Sequence, residues 1–262
     1  EIDRIQALDG VAMLAFRPDG KVAFVDSSRA AEIDVVDVPS RRVIARIPVI
    51  SPFSPNLLVT PDGTELWLTH KDSGKVTVID AQTYAVKHVL DTGRVSNHVN
   101  FVAKADGDYA YVTVGGENAV RVIRRGDPPQ VVGTIQLGAV PHGLWPSPDS
   151  SRLYVGLEDG DAVQVIDTTT DQVATTIPIG QSPQALVYVA RGGAAGADAH
   201  LTRQGTGQPV VKAPLRPLGE GATARGGVLV RRLMGVDQLV LDVEGLPPGG
   251  YRVLLTDTAR PP

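Results

Sequence analysis

Between residues 11 and 180 the apolar positions come in short runs with a period of two, and most of these runs close on Asp, Gly or Pro. Leu66-Trp67-Leu68-Thr69, Tyr111-Val112-Thr113 and Leu153-Tyr154-Val155 each follow a turn segment and lead through a polar or glycine loop into a β-branched run. Val76-Thr77-Val78-Ile79 and Val163-Gln164-Val165-Ile166 are such runs. A third run follows in every unit: Val43 to Val49, Val86 to Leu90, Val131 to Leu137 and Val173 to Ile179. With the strand that leads into the turn, this predicts four strands per unit. The 3.6-residue patterning that helical repeats need is absent from the sequence.

Two markers keep one register. The turn segments Pro18-Asp19-Gly20, Pro61-Asp62-Gly63, Ala105-Asp106-Gly107 and Pro148-Asp149-Ser150 place their aspartates 43, 44 and 43 residues apart. Val36-Asp37, Ile79-Asp80, Ile123-Arg124 and Ile166-Asp167 step by the same intervals. A four-stranded unit of this length predicts an all-β fold, a β-propeller whose blades stack so that each buries what it cannot bury alone. Ile5 lies 42 residues before Ile47, in the register of a fourth strand, and Pro183-Gln184-Ala185-Leu186 lies 42 residues after Pro141-His142-Gly143-Leu144, in the register of a first strand. A ring of about five blades that closes by sharing one blade between these segments is expected, with an open fragment of a larger ring as the alternative.

This assigns residues 1–190 to the propeller. Residues 191–208 are rich in Gly and Ala and read as a linker or loop. Residues 209–262 form a β-rich segment, either a small sandwich-like module or strands that complete the closing blade. Within it Gly227 to Leu233, Gln238 to Glu244 and Tyr251 to Asp257 alternate, and turn chemistry at residues 246–250 predicts a hairpin joining the last two.

Composition narrows the function classes. The formal charge of -4 comes from acids and bases mixed along the chain, which leaves no cationic stripe for nucleic acid. No apolar run reaches the roughly 18 residues of a membrane span. The chain has no cysteine, which removes thiolate metal sites, cysteine nucleophiles and c-type haem attachment. Glu1 to Arg4 is not the basic start of a secretory signal, and whether Glu1 follows a removed leader or a truncation stays open. No nucleophile elbow, phosphate-binding loop, dinucleotide fingerprint or zinc-protease helix occurs.

The repeats resemble the YVTN-type β-propeller family. The resemblance rests on Pro141-His142-Gly143 with Ser147-Pro148-Asp149, on Tyr111-Val112-Thr113, on Val76-Thr77-Val78-Ile79-Asp80 and on Ile177-Pro178-Ile179-Gly180. It covers about residues 1 to 190. The sequence departs from the family pattern where the last signature asparagine is replaced by His70, Val114 and Leu157, and where Arg124 stands for an aspartate. The resemblance implies a secreted, periplasmic or surface-layer protein, and related propellers occur in haem-containing nitrite reductase and copper-containing nitrous oxide reductase.

In an up-and-down blade, the loops before first strands and those between second and third strands emerge on one face. His98 and His142 precede first strands and His70 follows a second, so all three are expected at one rim. With Asn97 they form the candidate ligand-binding set, and His70, His98 and His142 the candidate metal set, since neutral imidazole is a common metal ligand. Loop histidines commonly bind nothing, and Asn56, Asn100 and Arg94 in the same loops suit turn capping as well as recognition. The repeated aspartates read as turn residues that bond their own backbone. The leading expectation is a non-catalytic extracytoplasmic scaffold with no cofactor that binds a protein, glycan or small molecule on its loop-rich face. The alternatives are a copper- or haem-dependent oxidoreductase and a lactonase-type hydrolase.

Overall fold

A computed structural model describes residues 4–189, 209–215, 225–233 and 236–245. The described residues contain no α-helix. The chain divides into two compact units, residues 1–195 and 196–262.

The first unit holds four antiparallel four-stranded sheets, each in sequential order. Blade 1 is β1 (Val11–Phe16), β2 (Val22–Ser27), β3 (Glu32–Asp37) and β4 (Arg42–Pro48). Blade 2 is β5 (Leu57–Val59), β6 (Glu65–His70), β7 (Lys75–Asp80) and β8 (Val86–Asp91). Blade 3 is β9 (Ser96–Lys104), β10 (Gly107–Val114), β11 (Ala119–Arg124) and β12 (Gln130–Gln136), and blade 4 is β13 (Pro141–Pro146), β14 (Arg152–Leu157), β15 (Ala162–Asp167) and β16 (Gln172–Pro178). The fold is a β-propeller of the kind the repeat predicts.

The turn markers have a local cause. The carboxylates of Asp19, Asp62 and Asp149 accept the amides of Lys21, Thr64 and Ser151, two residues on. The residue between must take a left-handed backbone, which Gly20 (φ 69) and Gly63 (φ 73) adopt without penalty and Ser150 (φ 58) adopts in the fourth blade. At the second marker, Asp37, Asp80 and Asp167 accept amides of Ser40, Gln82 and Thr169. Arg124 instead donates to the Asp106 carbonyl.

Three apolar layers join the four blades. Phe24, Ile33 and Val35 meet Leu57, Leu66 and Leu68 between blades 1 and 2. Trp67, Val76 and Val78 meet Phe101, Val112 and Ile123 between blades 2 and 3, and Tyr111 and Val122 meet Leu144 and Leu153 between blades 3 and 4. Each fully buried Leu or Phe contributes about 1.5–3 kcal/mol, so this stacking is what holds each sheet in place. Each blade also carries one extra residue on its outer strand, at Ile44, Lys87, Val132 and Ala174, where the pairing with the third strand shifts register.

No cluster among the described residues joins blade 4 back to blade 1, and β1 is exposed along most of its length. Of the two segments expected to share a fifth blade, the described residues Arg4–Leu8 and Ser182–Val189 carry no strand assignment. A first strand needs a second beside it and a fourth needs a third, and the described residues of the first unit show neither partner. The segment after Ser182 still lies against blade 4, with the Pro183 carbonyl where a Cβ on Gly156 would clash at 2.7 Å.

In the second unit β17 (Pro209–Leu215), β18 (Arg225–Leu233) and β19 (Val236–Glu244) form a three-stranded antiparallel sheet. The hairpin observed joins β18 to β19. The expected linker at 191–208 and the hairpin arm at 251–257 lie outside the described residues.

Candidate functional site

The upper rim of the first unit is built by the loops before β5, β9 and β13 and by those linking second to third strands. The structure brings His98 and His142 together there, their ring centroids 4.8 Å apart and their planes tilted by 58°. His98 is the third residue of β9, on the side turned to blade 4, and His142 the second of the adjacent β13, so both lie inside the first strands they were expected to precede. Thr113 Oγ1 ties the two strands by accepting the His98 amide at 2.9 Å and donating to the His142 carbonyl at 2.6 Å.

Both imidazoles are held neutral. Burial lowers His98 to about 3, with His142 and Lys71 adding to the effect. Burial also lowers His142, against the opposing pull of the Gln184 carbonyl and of Glu158. His142 Nδ1 lies 2.7 Å from the Gln184 carbonyl, so it carries the proton, and Nε2 keeps its lone pair with Glu158 Oε2 3.9 Å away. The His98 ring makes no hydrogen bond to a described residue, apart from its contact with His142. Lys71, which acts on both rings, also lines a groove of about 540 Å³ with Asp72, Gly74, Arg94, Val95 and Glu117.

The other expected residues sit elsewhere. β6 extends through His70, which pairs with Lys75, shares its face with Leu66 and Leu68 and so turns into the layer with blade 1. It is fully buried, its Nε2 is 2.8 Å from Thr77 Oγ1, and burial lowers it to about 4, partly opposed by the Ser51 backbone. The expectation of three imidazoles at one rim is corrected by this, because a residue inside the strand must follow the alternation of its neighbours. Asn97 is also fully buried and donates to the Pro141 carbonyl at 3.0 Å. Asn100 donates to the Leu144 carbonyl at 3.2 Å and Asn56 accepts the Val99 amide at 3.0 Å. These three asparagines join neighbouring blades, and Asn97 Oδ1 is buried without a hydrogen-bond partner among the described residues.

Among the described residues no group of three or more His, Asp or Glu side chains stands where it would hold a metal ion. Two imidazoles fit a metal or haem iron as donors, since both are neutral and His142 Nε2 is uncommitted; His70 does not. Sequence reasoning missed Lys71, Glu158 and Gln184, whose types carry no signal until the loops are placed.

No family model matches the chain. Over 95 residues, 36% of the chain, it is 38% identical to the uncharacterized protein YncE of Salmonella typhi and, equally, of Salmonella typhimurium. That match spans 26% of the length of these relatives. Among solved structures, Kuenenia stuttgartiensis hydrazine synthase superposes with a TM-score of 0.61 at 19% identity, covering 91% of this chain and 67% of that one. The dihydro-heme d1 dehydrogenase NirN, in complex with DHE, gives 0.56 at 14% identity, covering 88% of this chain and 45% of that one. At these identities the likeness is one of fold, the β-propeller.

Proposed function

We propose that the protein is a non-catalytic, extracytoplasmic binding propeller that takes a polar ligand, a small molecule or glycan or the polar side chains of a protein, on the rim bearing His98 and His142. The observation that carries this reading is the imidazole pair: two neutral rings in contact, one without a hydrogen bond to the protein, beside a groove that shares Lys71 with them. A preorganised donor and acceptor pair on a concave rim is suited to recognition. Asn97 and Asn100 of β9 each donate to a carbonyl of blade 4 beside the pair, which holds the rim in place for binding. The location outside the cytoplasm rests on the repeat resemblance. Among the described residues no helix is long and apolar enough to cross a membrane.

Imidazole nitrogen resonances of the full chain, followed against a panel of saccharides and small carboxylates, test the reading. His98→Ala and His142→Ala are expected to weaken a ligand that shifts these signals at least about tenfold, or about 1.4 kcal/mol. Unchanged affinity in both variants would defeat the proposal.

One observation favours a second reading, a copper- or haem-dependent oxidoreductase: both imidazoles are neutral at neutral pH, each with one ring nitrogen whose lone pair can ligate metal. Stoichiometric retention of added cupric ion or haemin through desalting, lost in His98→Ala, supports it. No retention by the wild-type protein removes it.

A further inference from the structure

One column of the repeat is occupied differently in each blade. Asp26, Thr69, Thr113 and Gly156 are separated by 43, 44 and 43 residues and stand near the upper ends of β2, β6, β10 and β14. In blades 2 and 3 the threonine hydroxyl crosses to the next blade: Thr69 Oγ1 donates to the Asn97 carbonyl at 2.6 Å and Thr113 Oγ1 to the His142 carbonyl at 2.6 Å. In blade 4 the column holds glycine, and the Pro183 backbone approaches directly. The crossing partner is thus 27 to 29 residues on, which for Asp26 is the stretch Phe53–Pro55 leading into β5.

Asp26 repeats half of the threonine arrangement. Its Oδ1 accepts the Met13 amide of its own β1 at 2.6 Å, as Thr113 accepts the His98 amide. Asp26 shares its face with Phe24 and Ile33, toward blade 2, and is fully buried. Its other oxygen, Oδ2, is buried without a hydrogen-bond partner among the described residues. An ionised carboxylate has no proton to donate, so it cannot make the crossing bond that the threonines make; a protonated one can.

We propose that Asp26 is an acid-operated latch between blades 1 and 2: once protonated, it donates from Oδ2 to the backbone that leads into β5, in the place of the hydroxyls that join blades 2 to 3 and 3 to 4. The surroundings favour the switch. Burial raises Asp26 to about 6, against the Met13 and Ala12 amides that stabilise the anion. The titratable groups on the faces that meet in this layer are His70 and Lys75 from blade 2, Tyr84 beyond β7, and Asp37 at the far end of β3. His70 is neutral here, Lys75 is paired with Asp91, and Asp37 caps the turn at Ser40, so none of them neutralises Asp26. Asp34, on the opposite face of the sheet, is bound by Arg46 and the Leu8 amide.

The sign follows from linkage. A carboxyl raised in the folded state contributes stability below its unfolded value near 4 and loses it as the pH rises through about 6. The buried histidines act in the opposite direction, losing stability on acidification below about 6.5, so the latch must be read as a difference between variants. Thermal unfolding of the full chain is compared for wild type, Asp26→Thr and Asp26→Asn between pH 7.5 and 5. Both variants carry a donor that needs no added proton. At pH 7.5 they are expected to melt about 2–4 °C above wild type, and the gap is expected to close by pH 5. The carboxyl carbon of Asp26 in the wild-type spectrum is expected to titrate above pH 5. A gap that does not change with pH, or a carboxyl fully ionised at pH 5, overturns the latch even if either variant folds poorly.

Discussion

Trp67→Ala is expected to destabilise the first unit by about 3–5 kcal/mol, the largest loss of any single side chain considered. Trp67 is completely buried at the centre of the layer between blades 2 and 3, on the same face of its sheet as Val76 and Val78. Its ring meets Phe101 edge to face, with centroids 6.0 Å apart and planes at 84°, and its Nε1 donates to Glu65 Oε2 at 3.0 Å. Truncation opens a cavity that two opposed sheets cannot close without breaking their own pairing, and it also removes a donor from a buried carboxylate. Trp67→Phe restores most of the volume and loses only the N–H, so its cost is expected near 1–2 kcal/mol. Denaturant unfolding followed by far-ultraviolet circular dichroism measures both. A loss under about 1 kcal/mol for Trp67→Ala would mean that stacked blades do not carry the stability of this unit.

The second large effect is expected from Arg125→Ala, at about 3 kcal/mol. The Arg125 guanidinium is nine-tenths buried and lies over the Phe101 ring at 5.7 Å. It meets Asp62 at 3.0 Å and Glu65 at 3.5 Å, both in blade 2, and Asp108 of its own blade at 3.6 Å. Removing it leaves the buried Glu65 with Lys87 as its remaining cation, at 2.7 Å. Lys cannot replace the planar fork, so Arg125→Lys is expected to recover less than half of the loss. A pH signature accompanies it. Burial pushes the Asp62 carboxyl up, but bonds from Thr60, Thr64 and Arg125 outweigh this and hold it well below the usual carboxylate range. Its contribution is present above the unfolded value near 4 and is lost as the pH falls further, so the gap between wild type and Arg125→Ala is expected to narrow in strong acid. Chemical denaturation at pH 7 measures the loss; the Asp62 carboxyl carbon, followed by NMR in both proteins, is expected to titrate at a higher pH in Arg125→Ala, and an unchanged titration would remove Asp62 from the account.

The fold was legible because turn chemistry and strand alternation report on the same interval: an Asp two residues before the amide it accepts, and a Gly or Ser free to turn left-handed, recur where a first strand hands over to a second in blades 1, 2 and 4, while Asp106 of blade 3 keeps the interval but accepts the Tyr109 hydroxyl. The site was legible only in part. Stepping by one repeat puts His142 beside His98, and the rings do touch. His70 misled because the apolar alternation in the sequence ends at Thr69, whereas pairing with Lys75 carries the strand one residue further and turns the ring inward. Asn97 misled for a different reason. The pairing of β9 with β10 shifts register between Val112 and Val114, opposite Asn97, and such a shift changes which face a side chain takes without leaving a mark in composition. The Asp26 column was hidden likewise: aspartate and threonine look unrelated until their bonds to the neighbouring strand are compared.

The extra residue on every outer strand bears on self-association. Among the described residues the four outer strands leave four rows of amides and carbonyls without a neighbouring strand, each a template on which a foreign strand can grow. Because Ile44, Lys87, Val132 and Ala174 interrupt the ladder at one height in all four blades, each rim is bent and out of step with a straight incoming chain, and the protein can present these margins to crowded surroundings without seeding aggregates.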